Sequence, residues 1–445
     1  APNQSQPSIS QAFYGSKIGV SFTTCTNANV CSIGIQLLDP ATLAPFFNST
    51  QLIALNGTSS DLAPGQNNDF FVAWSDRRNI ATAGTDIYAN RINAVTGVYA
   101  TTAEFLVEGG VGDDEEPSVA GYGNGGQTLV AWTHRPPGGG PGRIDTQRYV
   151  NGVPQGARVS LSPGNGEMSA AAHSDELANY FVVWTDTRNS TATAQQTDIY
   201  GARLSFAGVN LDPTNRLITQ GTNTQVSPSI ATCGSKYLVA WADNRNSVAE
   251  NDIYGVIKNT SNGTLVAAFA ISAAAGNQEA PAVTCNGTDF FVAWEDSRNA
   301  ATTGVDIYGA RVTAAGVVLD TAGVVIANTA GNELTPAVAA NADQYLVAWS
   351  APNGIYGRDI FAKRVNWTSG AVVAGSLVTP SGPVLADQIN PAIAAEPQTN
   401  SFFVVWEHGL FVEATPHTDI YGRRVLSISG MDAAPVAVEA QVDDQ

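Results

Sequence analysis

The chain has 445 residues, of which 44% are apolar and only 13% charged, and its 39 acidic residues outnumber 21 basic ones for a net charge of −18. A surface this acidic repels nucleic acid and anionic membrane, and no run of 18 apolar residues is present to span a bilayer as a helix. No nucleic-acid partner and no membrane span are therefore expected.

The predicted elements are short strands, and in chain order they repeat. Ser8 to Ser10 reads as a first strand and the KIGVSF run around Phe22 as a second. Cys25 and Cys31 follow, with a five-residue spacer that can close a disulfide. The second repeat reads FFVAWSDRRN from Phe70 and then DIYANRI from Asp86. The apolar run ending in Trp recurs at Trp132, Trp184, Trp241, Trp294, Trp349 and Trp406, with spacings from Trp74 onward of 58, 52, 57, 53, 55 and 57 residues; Phe22 lies 52 residues before Trp74.

Each unit divides into four strand-like pieces rich in β-branched and aromatic residues, with Gly, Asn, Asp and Pro between them. The first piece is PSIA-like, as at Pro228–Ala231, Pro281–Thr284, Pro336–Ala339 and Pro391–Ala394. The second is the FVAW run, the third DIYGARV, and the fourth a GVVLD-like piece such as Gly316 to Asp320. In FFVAW both faces are apolar, so the strand is expected to be covered on both sides, as in a sheet stacked between two others. Trp and the Tyr of DIYG are then packing residues.

Four strands per unit of about 50 residues is the signature of a propeller blade. The expected fold is all-β: one domain, 1–445, forming an eight-bladed β-propeller of four-stranded blades, with seven blades plus a divergent N-terminal piece as the alternative. A string of β-sandwiches fits less well, since a sandwich takes about 100 residues. Val436–Ala440 supplies a last strand for the eighth unit, so no strand exchange between the ends is required.

Cys233 and Cys285 occupy nearly the same place in neighbouring repeats, and a bridge would staple the fifth unit to the sixth. There is no CxxC and no zinc spacing. Four cysteines in a chain with only four Lys point to disulfides and an oxidising compartment, secreted or at the cell surface. A start at Ala1 fits a mature form released from a signal peptide. Sequons at Asn3, Asn48, Asn56, Asn189, Asn259, Asn262, Asn286 and Asn366 permit a glycoprotein.

WxDxRN followed by DIYGxR resembles a repeat of large secreted or surface-attached prokaryotic proteins. The resemblance covers nearly the whole chain and implies a β-propeller without implying an activity. The chain is also distantly similar to sialidase-type propellers, although their S-x-D-x-G-x-T-W box is not legible here.

The repeated polar residues admit two readings. In one, the Asp–Arg pair and Asx-type hydrogen bonds hold the loop shut. In the other, the carboxylates of Asp76 and Asp86, Asp186 and Asp198, Asp243 and Asp252, or Asp296 and Asp306 bind structural Ca²⁺ with backbone carbonyls, although the neighbouring Arg already neutralises one of each pair.

A catalytic set must be unique, so residues repeated in many units belong to the frame. The third, seventh and eighth units break the pattern: WTHRPPGGGPGRIDTQR with His134 and Arg135, WSAPNGIYGRDIF, and WEHGLFVEATPHTDIYGRR with Glu407, His408, Glu413 and His417. No GxSxG elbow, P-loop or dinucleotide fingerprint occurs, and no catalytic residue is assigned. The expected function is a non-enzymatic binding or assembly module, a scaffold or adhesin whose partner is a surface protein, a glycan or further copies of itself. The alternative is a polysaccharide hydrolase or lectin using the irregular loops.

Overall fold

The computed structural model describes residues 8–11, 17–25, 31–40, 51–65, 69–99, 104–122, 126–162, 164, 168–175, 178–191, 196–214, 216–219, 221–261, 263, 266–354, 357–382, 387–396, 400–410, 417–426 and 436–437. Within them every named element is a strand, and no helix is long and apolar enough to cross a membrane.

The strands form eight antiparallel sheets, each built from consecutive chain. Sheet six is representative: Gln278–Cys285, Asp289–Asp296, Asp306–Thr313 and Val324–Ala327 pair in sequence order. Sheets one to five span 8–55, 57–108, 113–160, 168–219 and 225–272, and sheets seven and eight span 334–366 and 388–437. Sheet seven has three named strands, and two isolated bridges, Val365 to Val372 and Ala362 to Val378, line its outer edge.

The first strand of each sheet lies against the first strand of the next, so these strands are innermost; Ser8–Gln11 neighbours both Gly57–Pro64 and Gln388–Glu396. Eight apolar clusters fill the seams, one per pair of successive sheets. The seam between the last sheet and the first holds Phe403, Val405 and Ile420 against Ile18, Val20, Phe22 and Leu38. This is propeller packing, and it accounts for the FVAW runs: each second strand is covered by neighbours on both faces. The seven repeat tryptophans are at most 3% exposed. Each Trp pairs across the strands with the third-strand aromatic where one is present, as Trp294 with Tyr308.

The fourth strand corrects the sequence reading. Gly316 to Asp320 contributes only an isolated bridge between Val318 and Val312, and the outer strand is Val324–Ala327. Asp320 is withdrawn from any ladder because Arg311 takes both its carboxylate oxygens, through Nε at 2.8 Å and Nη2 at 2.7 Å. The expected cystine is present: Cys233 and Cys285 are bonded, with Cα atoms 5.5 Å apart, across the fifth and sixth innermost strands. Cys31 is also disulfide-bonded. The register sets Cys25 opposite it, while the Cys25 side chain lies outside the described residues.

Candidate functional site

The repeated motif folds into a closed knot at the end of the second and third strands. In sheet six, Trp294 Nε1 donates to Asp296 Oδ2 at 2.8 Å. Arg298 donates to the same carboxylate three times: from its backbone N–H at 3.0 Å, from Nε at 2.8 Å and from Nη2 at 2.6 Å. The guanidinium lies 3.9 Å over the Tyr308 ring. Asn299 Nδ2 donates to Asp306 Oδ2 at 3.0 Å and to the Tyr308 hydroxyl at 3.1 Å.

The same Trp-to-Asp, Arg-to-Asp and Asn-to-Asp bonds recur in sheet two from Asp76 to Asp86, in sheet four from Asp186 to Asp198, and in sheet five from Asp243 to Asp252. A buried carboxylate costs little when charged donors surround it. These contacts tie the second and third strands together at the motif's end of the hairpin. Among the described residues, no group of three or more His, Cys, Asp or Glu is arranged to hold a metal ion.

The irregular units rewire this knot. In sheet three His134 stands in the Asp position, and Asp114 on the innermost strand accepts from Trp132 Nε1 at 2.9 Å and pairs with His134 Nδ1 at 2.8 Å. Burial, with the Glu108 charge adding to it, pushes Asp114 up to about 6 despite the His134 contact. Asp145 takes the place of the third-strand Tyr and pairs with Arg143 and Arg158. In sheet eight, His408 replaces the Asp and packs on the Tyr421 ring at 4.8 Å. Among the described residues, Trp406 Nε1 and Glu407 Oε2 are buried without a hydrogen-bond partner. Burial pushes Glu407 up to about 7, and among the described residues Asn390 donates to it, at 3.1 Å. The side chains of Glu413 and His417 lie outside the described residues.

A pair that the sequence reading missed lies in sheet six. Glu279 on the innermost strand is directly opposite Glu295 on the second. Opposed residues share a face with Cβ atoms ~5 Å apart, and like charges there are unfavourable. The equivalent pairs elsewhere hold at most one carboxylate: Ser59 with Ser75, Glu115 with Thr133, Val226 with Ala242, Leu334 with Ser350, and Ile389 with Glu407. The environments of the two glutamates differ. Glu279 is exposed and accepts from Asn251 Nδ2 at 2.8 Å. Glu295 is half-buried and accepts from the Thr335 backbone N–H of sheet seven at 2.7 Å. Burial raises Glu295 above the ordinary Glu range, and the Glu279 charge adds to this.

Thr335 presents that N–H from a β-bulge. It has φ 54° and stands just before Pro336, as Glu116, Ser227, Ala280 and Asn390 stand before their prolines with φ between 49° and 55°. The legible signal was a Glu inside WxD, where sheets two, three, four and seven carry Ser or Thr and sheet five Ala.

The sequons divide. Asn189 Nδ2 is spent on Asp198 and on the Tyr200 hydroxyl, and Asn286 Nδ2 donates to the Tyr345 hydroxyl at 2.8 Å. Asn366 Oδ1 accepts from the Thr368 and Ser369 backbone, and Asn259 Oδ1 from the Ser261 backbone, in Asx turns. The Asn56 carbonyl accepts from the Arg77 backbone N–H. Asn3, Asn48 and Asn262 lie outside the described residues.

No family model matches the chain, and no curated protein matches it. Among solved structures it is similar to the Dos1 propeller at 10% identity, covering 94% of this chain and 92% of that one, with a TM-score of 0.49. The β-propeller domain of the Trilobed protease from Pyrococcus furiosus matches at 7% identity, 83% and 97% coverage, and a TM-score of 0.45. Penicillium chrysogenum α-L-arabinanase matches at 11% identity, 68% and 93% coverage, and a TM-score of 0.41. At such scores the propeller arrangement rests on the chain's own sheet packing.

Proposed function

We propose that the protein is a rigid eight-bladed ring that acts as an extracellular binding or assembly module, with further copies of itself as partner. One observation carries this reading. Val98, Val153, Val209 and Val317 occupy the same turn of four sheets, each follows a glycine of positive φ, and each is 56–60% exposed. Single exposed apolar residues need no explanation; we read the recurrence of valine at the same turn of four sheets as a contact surface. Such a rim, placed by a rigid frame, suits a partner of matching rotational order. The cystine bridge between sheets five and six fits an oxidising compartment. The test is light scattering and negative-stain imaging of the full chain beside a variant with all four valines changed to Ser. Concentration-dependent assembly in the wild type that the variant lacks supports the reading; a monodisperse wild-type monomer refutes it.

A second reading, hydrolysis of a polysaccharide, is favoured by the Glu279–Glu295 pair. A retaining glycosidase needs two carboxyl groups ~5–5.5 Å apart, a separation that two Glu side chains on directly opposed strand positions can reach. Their unequal surroundings would make Glu295 the proton donor and Glu279 the carboxylate. Reducing-end release from a panel of plant and microbial polysaccharides, lost in Glu295→Gln and Glu279→Gln, supports it. Activity unchanged in both variants would remove it.

A further inference from the structure

Asp306 and Glu333 meet at the seam between sheets six and seven, and both are fully buried. Asp306 Oδ2 accepts the Asn299 amide. Glu333 Oε1 accepts the backbone N–H of Thr329 at 2.8 Å and the Thr329 hydroxyl. The other oxygen of each, Asp306 Oδ1 and Glu333 Oε2, is buried and accepts no hydrogen bond among the described residues. Orphan carboxylate oxygens of this kind call for an ion, a water or a proton. The two groups are close enough that the Asp306 charge adds to the burial that raises Glu333. Lys363 and Arg358 also lie near Glu333, but Lys363 Nζ donates to the Ile326 carbonyl at 2.6 Å, and Arg358 donates to Ser350 and to the Asn332 carbonyl.

The preceding unit offers the comparison for Glu333 Oε2. AGNQ at Ala275–Gln278 and AGNE at Ala330–Glu333 are the same inter-sheet loop. In both, the Asn side-chain oxygen accepts a backbone N–H from the neighbouring sheet, Asn251 to Asn277 at 2.9 Å and Val305 to Asn332 at 3.1 Å, and the Gly has positive φ. Gln278 fits its loop because its amide Nε2 donates to the carbonyls of Ala275 at 3.4 Å and Gly276 at 2.7 Å. Glu at 333 puts an acceptor where that donor stands. By analogy with Gln278, the Ala330 and Gly331 carbonyls are the groups expected opposite Glu333 Oε2, and Asp306 Oδ1 adds a second carboxylate oxygen.

A buried site made only of oxygens, two of them charged, matches a hard divalent cation. We propose that Asp306 and Glu333, with the Ala330 and Gly331 carbonyls, bind one calcium-like cation that staples sheet six to sheet seven. The site shares Asp306 with the sheet-six knot but leaves out Asp296, whose carboxylate Arg298 already occupies, and it is separate from the valine rim. It uses Asp306 in a pairing that the sequence spacing does not suggest.

The test uses the full chain, stripped with EDTA and dialysed at pH 7.5. Calcium chloride should raise the wild-type thermal midpoint by about 3 °C or more at saturating concentration, and calorimetric titration should show one site. Glu333→Gln restores the amide arrangement of the preceding unit, so it should fold, melt in EDTA at or above the wild-type midpoint, and ignore calcium. A wild type that ignores calcium, or a Glu333→Gln variant that still responds, overturns the proposal. An unresponsive wild type whose midpoint falls between pH 5 and pH 8, where Glu333→Gln stays level, would mean that a proton bridges the two carboxylates instead.

Discussion

Arg424 Nη1 of sheet eight donates to the backbone carbonyl of Pro40 in sheet one at 3.1 Å, so the chain's last sheet is tied to its first by the same contact that ties its neighbours. The Arg of DIYGxR reaches forward one sheet each time: Arg91 to the Asn151 carbonyl, Arg203 to Thr260 and Ser261, Arg311 to Thr368, and Arg364 to Leu426. The receiving turn needs glycine for two reasons. Gly263 has φ 64°, and a Cβ there would meet the Arg203 guanidinium at 2.7 Å. Sheet five carries Ile257 at the Arg position, and there Phe269 fills the space against Gly316.

Arg203 is the most buried of these ties. It grips Asp212 through Nε and Nη2, each at 2.9 Å, and the Nζ of buried Lys258 stands 3.6 Å from the same carboxylate. Burial alone would raise Asp212, but the Arg203 hydrogen bonds and the Lys258 charge hold it down at about 2. Arg203→Met should destabilise the chain by ~3 kcal/mol, the cost of breaking a buried pair. Arg424→Met, which breaks a bond to a carbonyl, should cost nearer ~1 kcal/mol. Urea unfolding of both variants checks the order.

Reduction of the Cys233–Cys285 bridge releases a loop with a sequence separation of 52 residues. The chain-entropy account puts its contribution at about 4 kcal/mol. The double variant Cys233→Ser, Cys285→Ser should show that loss in denaturant melts, and added reductant should then change nothing further at this seam.

Glu407 carries a pH dependence of definite sign. Its folded pKa of about 7 lies above the ordinary 4.5 because of burial. The folded state therefore holds the proton more tightly, and this contribution is complete below pH 4.5 and lost as pH rises through 7. The span corresponds to on the order of 3 kcal/mol. Glu407→Gln should be no less stable at pH 5 and more stable at pH 8. Parallel pH–melting curves for the wild type and the variant would contradict the assignment.

The closed knot at Asn189 predicts a modification pattern. A glycan on its Nδ2 would break the bonds to Asp198 and Tyr200. Glycopeptide mass spectrometry of material from the native source should find the Asn189 and Asn286 peptides unmodified, whichever other sequons are occupied.

The sequence by itself determined the sheets. Trp spacing, the both-face apolar runs and the turn residues between them fix strand order through local chemistry: β-branched and aromatic residues want a pleated, covered surface, and Gly, Asn and Asp want the turns. The Cys233–Cys285 bridge was legible for the same reason, since equal positions in adjacent repeats end up side by side. What only the tertiary structure decided was the partner of each polar group. The Arg of DIYGxR bonds about 60 residues onward in the chain. Asp320 is drawn to Arg311 and out of the strand it was expected to form. Glu279 meets Glu295 through a register shift at a bulge. These depend on distances across a seam between sheets, which periodicity along one strand does not encode; a carboxylate's role here follows from which donor, if any, the neighbouring sheet places before it.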